Sequence, residues 1–91
     1  MSEMTVEFAT ARSIEELREA LNAAFQREFP GGMLQRRWEG DVLHLSGPGA
    51  KGTIVLQEGR LIGRAELAPP ASLLRAMIEQ KVGAALKDAA G

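Results

Sequence analysis

The chain has 91 residues, 45% of them hydrophobic and 25% charged, with a formal net charge of -1. A chain of this size buries roughly 60% of the surface it exposes when unfolded, so residues 1–91 are expected to form one domain, ordered over about residues 4–88, with no deep two-lobed cleft. Eleven Lys and Arg stand against twelve Asp and Glu, leaving no basic excess to mark a nucleic-acid partner, and the lack of cysteine excludes disulfides, thiolate catalysis and cysteine-ligated zinc.

No run approaches the roughly 18 consecutive apolar residues of a membrane span, and the amino-terminal residues lack a basic start followed by an apolar stretch. No transmembrane segment and a cytoplasmic location are therefore expected. Met1 to Glu3 and the Lys87 to Gly91 tail read as loose.

Met4, Val6 and Phe8 alternate with Thr5, Glu7 and Ala9, the period of a half-buried strand. Ser13-Ile14-Glu15-Glu16 then reads as a capping box, with the Ser13 hydroxyl and the Glu16 carboxylate serving each other's backbone amides. The helix it starts places Ile14, Leu17, Leu21 and Ala24 or Phe25 at helical spacing, with Arg18, Asn22 and Gln26 on other faces. Pro30-Gly31-Gly32 ends it.

The middle third reads as two hairpins. In Leu34 to Ser46, Gly40-Asp41 suits a two-residue turn with glycine first, which sets Trp38 opposite Leu43 and Arg36 opposite Leu45 on one face. Arg37 opposite His44 and Glu39 opposite Val42 then share the other. Gly47 to Gly52 reads as a flexible loop, and a second hairpin turns at Glu58-Gly59. Its inner face collects Ile54, Leu56, Leu61, Gly63, Ala65 and Leu67, and its outer face includes Val55, Ile62 and Arg64. After Pro69-Pro70, a last helix over about Ser72 to Ala89 carries Leu74, Met77, Ile78, Val82, Ala85 and Leu86 as its apolar stripe, broadened by Leu73 and read as core. The order β-α-β-β-β-β-α predicts an α+β fold, an antiparallel sheet with both helices packed on one face.

Little in this layout supports catalysis. His44 is the single histidine, so any His-pair metal site or relay would have to be built on it, and Ser46 beside it is a poor nucleophile–base pair. The Gly47 to Thr53 segment fails as a phosphate loop, because Lys51 precedes Gly52 and a strand follows where a helix is required. No cofactor or metal is expected. Two features remain as site candidates. Arg36 on the inner face, or Arg64, could meet the carboxylate of a small hydrophobic acid. Val42, Val55 and Ile62 put apolar side chains on a face where water is expected, which suits a homodimer or docking to a hydrophobic surface.

The stretch Arg37-Trp38-Glu39-Gly40-Asp41-Val42-Leu43-His44-Leu45, then Gly52-Thr53-Ile54-Val55-Leu56 and Leu73-Leu74-Arg75-Ala76-Met77-Ile78-Glu79, resembles the polyhydroxyalkanoic acid system protein family. The likeness spans about residues 5 to 88, with Trp38, Gly40, Asp41, Leu43 and Gly52 at the matching positions of the W-x-G-D-x-L hairpin. Each has a structural role open to it: core aromatic, turn glycine, turn acid, core aliphatic and loop glycine. Members often carry a histidine just before the first helix, where this chain has Thr10-Ala11-Arg12. The resemblance implies a setting, the accumulation of a hydrophobic bacterial polyester, and no catalytic motif. The expected function is a non-enzymatic accessory role in polyhydroxyalkanoate storage, through contact with the granule surface or a granule-associated protein. The alternative is a small carrier or sensor of a hydrophobic acid of helix-grip type, by analogy of fold.

Overall fold

A computed structural model describes residues 2–32 and 34–91. Strand β1 (Ser2–Ala9) is followed by helix α1 (Ile14–Glu28), four strands β2 (Gln35–Glu39), β3 (Val42–Gly47), β4 (Ala50–Gln57) and β5 (Arg60–Leu67), a 3₁₀ turn (Ala71–Leu74) and helix α2 (Arg75–Ala90). The five strands form one antiparallel sheet in the order β1-β5-β4-β3-β2. The chain thus leaves one sheet edge, crosses in α1 to the other, and returns by a meander to close β5 on β1. The α+β fold expected from the element order is the fold observed.

Register follows from the turns. Gly40 has φ +59 and sits first in the β2–β3 turn, pairing Trp38 with Leu43, Arg36 with Leu45 and Arg37 with His44. Glu58 and Gly59 both have positive φ, the type I′ pattern that matches strand twist, and Val55 pairs with Ile62. Two alternating sets of rows result. The inner rows include Met4, Leu43, Leu45, Ile54, Leu61 and Leu67, all buried against Leu17, Leu21 and Phe25 of α1 and Val82, Ala85 and Leu86 of α2. Gly63 marks the closest approach: a Cβ there would lie 2.9 Å from Leu86 Cδ2 and 3.3 Å from Val6 Cγ2.

The Gly47 to Gly52 segment is not a flexible loop. β3 runs to Gly47 and β4 starts at Ala50, leaving only Pro48-Gly49 as a tight turn. Proline presets its own φ, and Gly49 takes φ +75 while its carbonyl accepts the Ala68 amide at 2.7 Å. A Cβ on Gly49 would run into the Ala68 carbonyl oxygen. The turn is therefore clamped against the end of β5.

The chain ends are also more ordered than their composition suggests. Ser2 and Glu3 pair with Leu67 and Glu66, and Lys87 to Ala90 complete α2, with Ala89 and Ala90 buried. Met1 lies outside the described residues.

The apolar stripe of the last helix needs a larger correction. Val82, Ala85 and Leu86 are core and Ile78 is half-buried, whereas Leu74 is 52% exposed, Met77 44% and Leu73 80%. A 3₁₀ turn advances three residues per turn against 3.6, so Leu73 and Leu74 fall out of phase with the stripe of α2. Position adds to this. The Arg75 guanidinium donates to Ser2 Oγ and, at 2.8 Å, to the Glu3 carbonyl, tying the start of α2 to the first residues of edge strand β1. The turn before Arg75 thus stands past the end of the sheet.

Candidate functional site

Helix α1 grips the β2–β3 hairpin with a polar stripe. The side chains of Arg18, Asn22 and Gln26 recur every four residues, so they line one edge of the helix beside β2. Arg18 Nη2 donates to the Gly40 carbonyl at 2.6 Å and to Asp41 Oδ1 at 3.0 Å, while its guanidinium lies over the Trp38 ring, 5.0 Å from the centroid. Trp38 Nε1 donates to Asn22 Oδ1 at 3.2 Å, and Arg36 Nη2 to Gln26 Oε1 at 3.2 Å. Trp38, Gly40 and Asp41 are thereby joined in one arrangement, with Leu43 buried beneath it. Gly52 lies elsewhere, where β4 and β5 approach closely: a Cβ there would sit 2.7 Å from the Arg64 carbonyl oxygen.

The outer sheet face, uncovered by either helix, carries the remaining candidates. Val42, Val55 and Ile62 share one row across β3, β4 and β5, as the register predicts. They expose little: Ile62 is 9% accessible, and Val42 and Val55 are half-buried. Beside them runs an open trough of about 1010 Å³, lined by residues 3–5, 64–66, 51–53, 44–46 and 35–37, three consecutive positions from each of the five strands. The outer side chains of each triplet form its walls, and the peptide groups of the middle residue form its floor. Arg64 stands on one wall. Arg36 belongs to a middle position and turns its side chain to the opposite face, so the two candidate arginines do not converge.

His44 is half-buried in the same trough, its Nε2 3.6 Å from Glu39 Oε1, and makes no hydrogen bond to Ser46. Glu39 also pairs with Arg37 at 3.3 Å. Among the described residues no group of three or more His, Asp or Glu side chains is placed to hold a metal ion. Among the described residues no helix is long and apolar enough to cross a membrane.

Residues 4–89 match the family model described as "Putative polyhydroxyalkanoic acid system protein". The chain belongs to this family. A comparison with curated proteins gives no match. The family span contains the whole grip of α1 on the hairpin, all of the trough except Glu3, and the exposed turn before α2. Within it, the residues that sequence reasoning missed are Arg18 and Asn22. Their four-residue spacing was visible, but a polar stripe on a helix looks like a solvated face until the strand beside it is known.

Proposed function

We propose that this family member is a non-enzymatic accessory protein of polyhydroxyalkanoate storage, acting in the cytoplasm by docking to the hydrophobic surface of the polymer. One observation carries the reading: Leu73, Leu74 and Met77 form a projecting apolar knuckle at the start of α2, whereas the other large apolar side chains among the described residues are at least half-buried. Such a cluster on a folded surface is suited to an apolar partner, and a family setting of hydrophobic polyester supplies one. Met77 adapts its shape readily to an irregular surface. The Val42, Val55 and Ile62 row is the lesser contact because its neighbours cover most of it. A homodimer built on this face or on the knuckle would compete with docking.

The test is depletion of purified protein from solution by polyester particles, compared for the wild type and the Leu73→Ser/Met77→Ser variant. Depletion of the wild type and its loss in the variant support docking. Equal depletion of both, or none of the wild type, removes it, as would a tagged copy found solely in the soluble fraction of polymer-accumulating cells.

A further inference from the structure

The outer-face trough has a length, a polarity and a set of free donors that together specify a ligand. It crosses five strands at spacings of about 4.8 Å, giving a channel roughly 19 Å long, and its walls are rows two residues apart, about 6.6 Å from each other. That is the footprint of one extended chain. Lys51 and Arg64 rise from adjacent strands on opposite walls and form no ion pair among the described residues, whereas Arg37 is already engaged by Glu39. Thr53 sits directly beside Arg64 on one side and His44 on the other. Ser46 lies next to Lys51 on the facing wall. Toward the β1 end the charge reverses: Glu66 lies directly opposite Lys51 on the same wall and pairs on its other side with Glu3. An anionic group is therefore attracted to Lys51 and Arg64 and repelled from the β1 end, so a bound chain must run from there toward β2, past hydroxyl, imidazole and amide groups able to donate hydrogen bonds.

We infer that the trough binds a short linear oligoester of a hydroxy acid, with its terminal carboxylate between Lys51 and Arg64 and its ester carbonyls directed toward β2. Such a chain offers one carboxylate and otherwise only acceptors, apart from its terminal hydroxyl, which matches donors on the β2 side and free cations at one point. The identity of the acid rests on the polyester setting proposed above; the carboxylate and its polarity rest on the trough alone.

Calorimetric titration with the free-acid tetramer of 3-hydroxybutyrate tests it, with the methyl ester of that tetramer and inorganic phosphate as separate arms. Saturable binding of the free acid is expected, weakened about tenfold or more by Arg64→Gln, by Lys51→Gln or by esterifying the ligand, as losing one charge-assisted contact implies. Both side chains are exposed, and circular dichroism checks that the variants fold. The Leu73→Ser/Met77→Ser variant should bind the tetramer as the wild type does, which separates this site from the docking knuckle. Absence of saturable binding, indifference to Arg64→Gln and Lys51→Gln, equal binding of the methyl ester, or displacement by equimolar phosphate would each overturn the inference.

Discussion

The Arg18 guanidinium lies over Trp38, 5.0 Å from its ring centroid, while the same side chain holds the Gly40 carbonyl and the Asp41 carboxylate. One helix residue thus fixes the ring, the turn and the turn acid of the hairpin at once. All these groups are partly exposed, so water and salt screen their charges and each contact contributes modestly. Arg18→Ala is expected to lower stability by about 1 kcal/mol. Trp38 is the chain's sole tryptophan, so its fluorescence in a urea titration reports the change directly. Asn22→Ala, which orphans Trp38 Nε1 toward solvent, should cost less.

Gly63 and Leu86 occupy one space. Adding a methyl at Gly63 pushes against both the Leu86 side chain and that of its strand neighbour Val6, so Gly63→Ala should destabilise by about 1–3 kcal/mol. Leu86→Ala, which empties a fully buried site, should cost about 2–5 kcal/mol alone. The double variant is expected to lose less than the sum. Additive costs in the double-mutant cycle would contradict the contact.

The Pro48-Gly49 turn separates backbone strain from collision. Gly31 and Gly49 both have positive φ, but only Gly49 faces a neighbouring backbone where a Cβ would stand. Gly31→Ala should cost about 1 kcal/mol, and Gly49→Ala clearly more, because Ala68 is pinned on both sides, its amide donating to the Gly49 carbonyl and its carbonyl accepting from the Ser72 amide. Thermal unfolding of the two variants side by side checks the ranking.

The exposure of the start of α2 also has a thermodynamic signature. Leu73→Ser should change stability by no more than about 0.5 kcal/mol, while Val82→Ala, on the buried face of α2, should cost about 1–3 kcal/mol. A large loss in Leu73→Ser would mean that the turn packs against something in solution.

Glu16 makes the α1 start sensitive to acid. The Ser13 backbone amide and then the Ser13 hydroxyl donate to its carboxylate, with Arg12 adding attraction, and together they hold its pKa below the ordinary glutamate value. A carboxylate lowered by folding favours the native state above its unfolded pKa and loses that contribution as pH falls through the lowered folded value. Glu16→Gln should therefore flatten the acid limb of the stability profile, matching the wild type at low pH and falling slightly below it at neutral pH. Ser13→Ala should cost about 1 kcal/mol at neutral pH through the lost cap. Chemical denaturation across the acid range measures both.

The legible parts of this fold share one property: their causes lie within a few residues along the chain. Gly40 and Glu58-Gly59 select the two hairpin turns, each turn selects its register, and the registers decide which side of the sheet Trp38 and Leu43, and Val55 and Ile62, occupy. The capping box at Ser13 and Glu16 is equally local. The misread segments depend on neighbours far along the chain. Ala50 to Gly52 become strand because β5 offers Leu67, Glu66 and Ala65 as ladder partners, a supply of hydrogen bonds invisible from the glycine-rich composition. Leu74 and Met77 share the spacing of core residues, yet the turn type and the tie from Arg75 to β1 leave them in water.

The candidate sites divide the same way. Sequence alone determined that Val42, Val55, Ile62 and Arg64 would face away from the helices and Arg36 toward them, because strand side chains alternate strictly once a turn sets the register. It also carried the family hairpin. Only the tertiary structure decided how much of each side chain reaches water and which ones meet. Accessibility is the sum of every neighbour around a residue, and the meeting of Arg18 with Trp38 requires a helix and a hairpin that are separate in the chain to be placed side by side.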